Sequence, residues 1–226
     1  MLTQIYEVAT PDEAAAISAV GVDHVGILVG DGSFPRELSL AQAQCVAEAV
    51  TQSAKISALF LSADLELIAN LARALAPDIV HLGAASDRLL PTDVRRLRTC
   101  VPAAAIMRSI PVTGPEAMDI AASYEDVVDY LLLDSHRTGD VQIGALGVTH
   151  DWSVSADIVK RVRTCAILAG GLGPANVGDA IRAVRPAGVD SKTLTDHPGH
   201  HTKDLGRVAA FHAAAKATAR KPTAGR

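Results

Sequence analysis

Strand-like runs recur eight times along this chain, at 3–8, 24–29, 56–62, 79–82, 104–110, 130–134, 166–169 and 188–191, separated by longer stretches with the mixed polar and apolar texture of amphipathic helices. Most of these runs are apolar at successive positions. Such a run has no solvated face, so it reads as a strand of a parallel sheet covered on both sides. The intervening stretches carry helix punctuation. Thr10-Pro11-Asp12-Glu13, Ser39-Leu40-Ala41-Gln42 and Thr113-Gly114-Pro115-Glu116 have the form of capping boxes, in which the hydroxyl accepts a free backbone N–H and the acid or amide reaches back to the cap. Gly21 is placed to stop the first helix. Strands and helices alternating from end to end predict an α/β protein, either a closed barrel or a doubly wound open sheet.

The choice between the two turns on one segment. Ala166-Ile167-Leu168-Ala169 runs into Gly170-Gly171 and then Pro174, which is read as the start of the next helix. An aliphatic strand, paired glycines and a helix N-terminus aim backbone N–H groups at a single point, a geometry that suits a phosphate. A plain strand-turn-helix with glycines for close packing has the same local signature. The stretch Gly188-Val189-Asp190-Ser191-Lys192-Thr193, one helix later, separates the readings, because in (β/α)8 barrels the loops after strands seven and eight form such a phosphate site. Together the two segments select a single (β/α)8 TIM barrel over residues 1–212, with Gly170, Gly171, Ser191, Lys192 and Thr193 as phosphate-binding residues. Residues 213–226, basic and rich in Ala, Thr, Pro and Gly, read as a frayed C-terminal tail.

Composition narrows the partners. A length of 226 residues with 49% hydrophobic content suits one globular barrel. Aromatic residues at 3% and a net charge of -4 leave no basic, aromatic-studded surface for stacking bases, so nucleic acid is not an expected partner. No run approaches membrane-spanning length and the N-terminus carries no leader pattern, which predicts a cytoplasmic protein without a membrane partner, as a monomer or homodimer. Cys45, Cys100 and Cys165 are odd in number and widely spaced. They are read as packing residues, not as disulfides or metal ligands.

With these motifs in hand, the chain resembles the phosphoribosylanthranilate isomerase family of tryptophan biosynthesis. The likeness runs from Gln4-Ile5 through Gly21-Val22-Asp23-His24, Pro35-Arg36, Leu132-Leu133-Asp134-Ser135 and Asp151-Trp152 to Ile167–Val177 and Gly188-Val189-Asp190. The resemblance implies an intramolecular aldose-ketose isomerisation, an Amadori rearrangement in which an acid protonates the ring oxygen of a phosphoribosylamine and a base removes the C2 proton. It implies a small phosphorylated substrate and neither cofactor nor metal. Asp134 matches the family's acid, and its place at the end of an apolar strand should hold its carboxyl up. Arg36 matches an arginine that can grip a substrate carboxylate or phosphate through both guanidinium arms.

The chain departs from the family at the base. Where the family reads Lys-Ile-Cys-Gly, with the thiol as base, this chain reads Gln4-Ile5-Tyr6-Glu7. A phenol with a reference pKa of about 10 is a poor base at neutral pH; Glu7 is a better candidate base by pKa, but strand alternation sends it to the face opposite Tyr6 unless the strand ends there. His136, two residues after Asp134, is the strongest substitute base, or else a solvated loop residue. His81 and His150 are read as pocket residues, with core packing the alternative for His81. His197, His200 and His201 crowd one loop without an acidic or thiol partner at metal spacing. Two further readings stay open: a phosphosugar isomerase, epimerase or lyase with another substrate, and a noncatalytic barrel that keeps the cup as a ligand-binding module.

Overall fold

In the computed structural model, which describes residues 1–51, 54–136 and 147–220 (the side chain of Arg220 apart), strands and helices alternate without exception. They are β1 (Leu2–Ile5), α1 (Pro11–Val20), β2 (His24–Leu28), α2 (Leu40–Glu48), β3 (Lys55–Phe60), α3 (Leu65–Leu75), β4 (Ile79–Leu82), α4 (Pro91–Cys100), β5 (Ala105–Pro111), α5 (Ala117–Tyr124), β6 (Tyr130–Asp134), α6 (Trp152–Arg161), β7 (Cys165–Leu168), α7 (Val177–Val184), β8 (Gly188–Ser191) and α8 (Leu205–Arg220), with a 3-10 turn at Thr193–Thr195. The strands pair in chain order, all parallel, and β8 returns to β1, so the sheet is the closed TIM barrel that the sequence predicts.

Burial on both faces explains the apolar runs. Ile79, Met107, Leu132, Ile167 and Ala169 pack together inside the barrel. Their strand neighbours Val80, Ile106, Leu131, Ala166 and Leu168 alternate outward, into the shell formed with Ile68, Val94, Ile158, Ile181 and Phe211 of the helices. Each Val, Ile, Leu, Met or Phe among them, removed from water, contributes roughly 1.5–3 kcal/mol. Helix ends follow the caps in part. Ser39 and Gln42 complete a reciprocal box at α2, and Gly21 ends α1 in the left-handed conformation at φ 93°. Thr10 accepts from the Glu13 N–H, while Glu13 reaches back one residue further, to Ala9 N–H.

Several expectations need correction. β1 stops at Ile5 rather than at residue 8; Tyr6 N–H donates to Ser191, then Val8 N–H to Gly26, so residues 6 and 7 cross the barrel rim from β8 towards β2. The Thr113 box does not cap a helix: α5 begins at Ala117, and the Thr113 hydroxyl donates to the Glu116 carboxylate at 2.6 Å. α7 begins at Val177, three residues past Pro174. The last helix runs through Arg220, and Lys216 Nζ donates to the Met1 carbonyl at 3.0 Å and to Asp23 at 2.9 Å. Residues 213–220 are therefore part of the barrel's closing helix and not a tail; residues 221–226 lie outside the described residues. The three cysteines are exposed rather than packed. Among the described residues no helix is long and apolar enough to cross a membrane.

Candidate active site

The C-terminal rim of the barrel holds two adjoining cavities, of about 300 and about 490 Å³ with their solvent-open mouths included, which share Asp134, Asp190 and Lys192. Gly170, Gly171, Ser191 and Thr193 line the smaller one. Tyr6, Glu7, His81 and Ser109 line the larger, beside Leu59, Leu61 and Leu132. Because β1 ends at Ile5, strand alternation no longer applies beyond it, and Tyr6 and Glu7 both face this larger cavity.

The smaller cavity is the expected cup, built on backbone that only glycine adopts easily. Gly170 and Gly171 lie at φ 83° and 58°. A Cβ on Gly171 would stand 2.6 Å from the carbonyl carbon of Val148. The turn is fastened from both sides. Asn176 accepts from Gly173 N–H at 2.8 Å and donates to the Gly171 carbonyl at 2.9 Å, and the Ser191 hydroxyl donates to the Leu172 carbonyl at 2.6 Å. Ser191 thus spends its proton on the loop. Lys192 borders both cavities, with its ammonium 2.8 Å from His201 Nδ1 and 3.2 Å from Asp196.

Asp134 and Asp190 face each other's field. Burial raises Asp134 to about 6, against two opposing hydrogen bonds from Ser135. Burial first, and then the charge of Asp134, raises Asp190 to about 8. Gln4 Nε2 donates to Asp190 at 3.2 Å, and Gln4 is oriented by His24 Nδ1 at 3.0 Å from its amide oxygen. In the sequence Asp190 stands out only as part of the Gly188-Val189-Asp190 motif. Its signal was parity: Val189 packs in the outer shell, so its neighbour must point into the barrel.

The position of the family's thiol is filled by a closed network. Tyr6 OH lies 2.5 Å from Ser57 Oγ and 2.8 Å from His81 Nδ1, and His81 Nε2 lies 2.7 Å from Ser109 Oγ. Burial pushes the Tyr6 phenol well above its ordinary value of 10.0 and lowers His81 to about 3. A phenol held neutral and an imidazole held neutral make neither one a ready base. Glu7 is engaged elsewhere, accepting from Arg36 Nε at 2.8 Å and Nη2 at 3.3 Å. Burial pushes its carboxyl up, yet the Arg36 hydrogen bond and the charges of Lys192, Arg36 and Lys203 hold it below the ordinary value.

The remaining histidines are less central. His136 borders neither cavity; its Nδ1 is buried without a hydrogen-bond partner among the described residues, and residues 137–146 lie outside them. His150 sits behind the cup, its Nε2 2.7 Å from Ser155 Oγ and its Nδ1 3.0 Å from where a Gly170 Cβ would lie. Burial lowers it to about 4.

Comparison with known proteins agrees with this geometry. The family profile described as PRAI, N-(5'phosphoribosyl)anthranilate (PRA) isomerase, matches residues 3–212. The N-(5'-phosphoribosyl)anthranilate isomerase of Halobacterium salinarum is 38% identical over 210 residues, 92% of this chain and 91% of that protein. The solved phosphoribosyl anthranilate isomerase of Thermococcus kodakaraensis superposes with a TM-score of 0.75 at 27% identity, over 98% of this chain and 99% of that one. A further isomerase structure, in complex with reduced 1-(o-carboxyphenylamino)-1-deoxyribulose 5-phosphate, shares the fold at a TM-score of 0.76 and 24% identity, over 96% of this chain and 100% of that one. Rim geometry, profile and relatives converge, and this chain belongs to the phosphoribosylanthranilate isomerase family.

Proposed function

We propose that this chain is an aldose-ketose isomerase acting on a 5-phosphoribosylamine, with Asp134 and Asp190 as its acid and base. The observation that carries the reading is the pair of buried carboxyls standing between the glycine cup and the larger cavity. The cup takes the phosphate, with Lys192 as its cation and Gly170, Gly171 and Thr193 as its walls. That places the sugar carbons beneath the two carboxyls.

Two strongly coupled carboxyls hold one proton over the pH range between their macroscopic titrations, and that proton belongs to the pair. Over that range the resting pair keeps its proton on Asp190, and the reacting form is the minor tautomer with Asp134 protonated and Asp190 ionised, so that one acid and one carboxylate are present together at neutral pH. Asp134 delivers its proton to the ring oxygen as the bond from that oxygen to C1 breaks. Asp190, a desolvated and therefore stronger base than an ordinary carboxylate, removes the C2 proton. Protonation of the resulting enolamine at C1, with loss of the proton of its C2 hydroxyl to solvent, completes the aminoketose. Asp190 takes the place of the missing thiol, while Tyr6 and His81 shape the cavity.

The test is turnover of an aryl 5-phosphoribosylamine in deuterated water. An isomerase places deuterium at C1 of the aminoketose, and a noncatalytic binder places none. The rate should follow a bell-shaped pH profile with limbs near about 6 and about 8. Asp134→Asn and Asp190→Asn should each cost roughly 10²- to 10⁴-fold in kcat. Undiminished turnover in Asp190→Asn would remove it as the base.

A further inference from the structure

Asp190 does not stand alone inside the barrel. In the strand register Gln4 of β1 lies beside His24 of β2 on one side and beside Asp190 of β8 on the other, so the three side chains share one layer of the interior. All three are buried. The Gln4 amide joins them: its oxygen lies 3.0 Å from His24 Nδ1, and its nitrogen donates to Asp190 at 3.2 Å.

The two ends of an amide suit opposite forms of a carboxyl. Nitrogen towards Asp190 serves the carboxylate, whereas oxygen towards Asp190 would accept from the protonated acid. Two neighbours decide which end faces it. Met107 Sδ lies 3.9 Å from the amide nitrogen; a thioether accepts weakly from the second amide hydrogen and offers an amide oxygen nothing. Burial lowers His24 to about 4, so at neutral pH its ring carries a single N–H, and with the amide oxygen as partner that hydrogen sits on Nδ1. The ring stands edge-on to Tyr130, 5.8 Å between centroids, which holds its orientation.

We infer that Gln4 and His24 are positioning residues for the proton transfer: His24 fixes the end of the amide that meets Asp190, and the amide nitrogen keeps the Asp190 carboxylate available to the sugar. The inference rests on the reading of Asp190 as the base. A hydrogen bond to the ionised form offsets part of the desolvation that holds this carboxyl at about 8. It thereby raises the share of the pair with its proton on Asp134, the form that reacts. Among the described residues, the other titratable or charged groups around Asp190 are Asp134 of β6, Tyr6 and Glu7 of the rim, His81 of β4, and Lys192 and Lys203 beyond β8. Asp23, Lys55 and Asp78 act on His24. All of these stay the same when only Gln4 or His24 is replaced, so a difference between such variants reports the amide.

The test reads Asp190 by carbon-13 NMR of aspartate-labelled protein, with Asp190→Asn assigning the resonance, beside the pH profile of aryl 5-phosphoribosylamine turnover. Gln4→Met removes both polar ends of the amide at similar length, and His24→Phe removes the N–H that orients it. Each should raise the Asp190 titration by about one pH unit and carry the alkaline limb of turnover up with it. Each should also lower kcat at pH 7 roughly tenfold, with KM changed by less than about threefold. His24→Asn sets an amide N–H where Nδ1 stood and should return the titration to within about 0.3 units of the wild type. An unmoved titration in Gln4→Met or His24→Phe, or one displaced as far by His24→Asn as by His24→Phe, overturns the inference alone. A titration that moves as expected without the alkaline limb, or with no turnover to follow, overturns Asp190 as the base and the positioning role with it. Should the variants fail to fold, nitrogen-15 NMR of the wild-type protein decides: His24 should carry its hydrogen on Nδ1 at pH 7, and the Nε2–H tautomer overturns the inference.

Discussion

Tyr6 stands where a relative would carry its reactive thiol, yet its hydroxyl is bound on both sides, to Ser57 and His81. Tyr6→Phe keeps the ring and strands two buried polar atoms. It should cost about 1–3 kcal/mol in urea unfolding, with a fall in kcat smaller than the loss caused by Asp134→Asn. Asp190 offers a second measurement. Its carboxyl titrates at about 8 in the fold, against an ordinary 3.8. Between those values the native state binds more protons than the unfolded chain. Its stabilising contribution is therefore complete below the unfolded value and drains away as pH rises through about 8. The unfolding free energy from urea titration should fall between those two values by at most roughly 1.4 kcal/mol per pH unit and level off above about pH 8, and Asp190→Asn should flatten that slope. Single residues were legible where local context carried them: Asp134 ends an apolar run, and Gly170 and Gly171 precede a helix. The partners that define Tyr6 were not legible, because Ser57, His81 and Ser109 come from three other strands and meet only when the barrel closes.

Among the elements, the turn between β7 and α7 does the most with the fewest residues. Asn176 fastens Gly171 and Gly173 with two side-chain hydrogen bonds while standing at the start of α7. Asn176→Ala should loosen the cup, raising KM for a phosphorylated substrate roughly tenfold with little change in kcat, since the phosphate lies away from the reacting carbons. Equal falls in kcat and kcat/KM would place the turn nearer the chemistry. A second clamp sets the exit of β4. Arg108 is buried over the ring of Tyr124 and donates to the Leu82 and Ala84 carbonyls, and the Tyr124 hydroxyl donates to the Leu89 carbonyl. This ties down the loop that follows His81. Helix starts were legible where a hydroxyl and an amide faced each other at the right spacing, as at Ser39 and Gln42. They were misplaced at Thr113 and Pro174, where turns intervene before the first helical residue and the tertiary contacts of the loop decide.

For the whole molecule, periodicity gave alternating elements but could not by itself tell a barrel from an open sheet. That distinction lies in whether β1 finds β8, a contact between the two ends of the chain. Here it does, in a four-residue register from Leu2↔Gly188 to Ile5↔Ser191. Lys216 on α8 then locks the outside of the seam to Met1 and Asp23. Truncation after residue 212 removes that lysine and the last turns of α8. It should lower the melting temperature by several degrees, as expected for a loss of about 1–3 kcal/mol, and an unchanged melting temperature would restore the view of 213–220 as dispensable.

The same seam bears on how the molecule comes into being. On a ribosome the first strand emerges long before the last, and it has a neighbour on one side only until β8 and the helix behind it are synthesised. Asp190 and Lys192 also arrive late, and Lys203, which anchors the Tyr6 carbonyl, arrives later still. Until β8 is made, a nascent chain therefore carries an open β1 edge and lacks Asp190 of the buried carboxyl pair. Closure of the sheet and completion of the buried carboxyl pair come together, once β8 has been made.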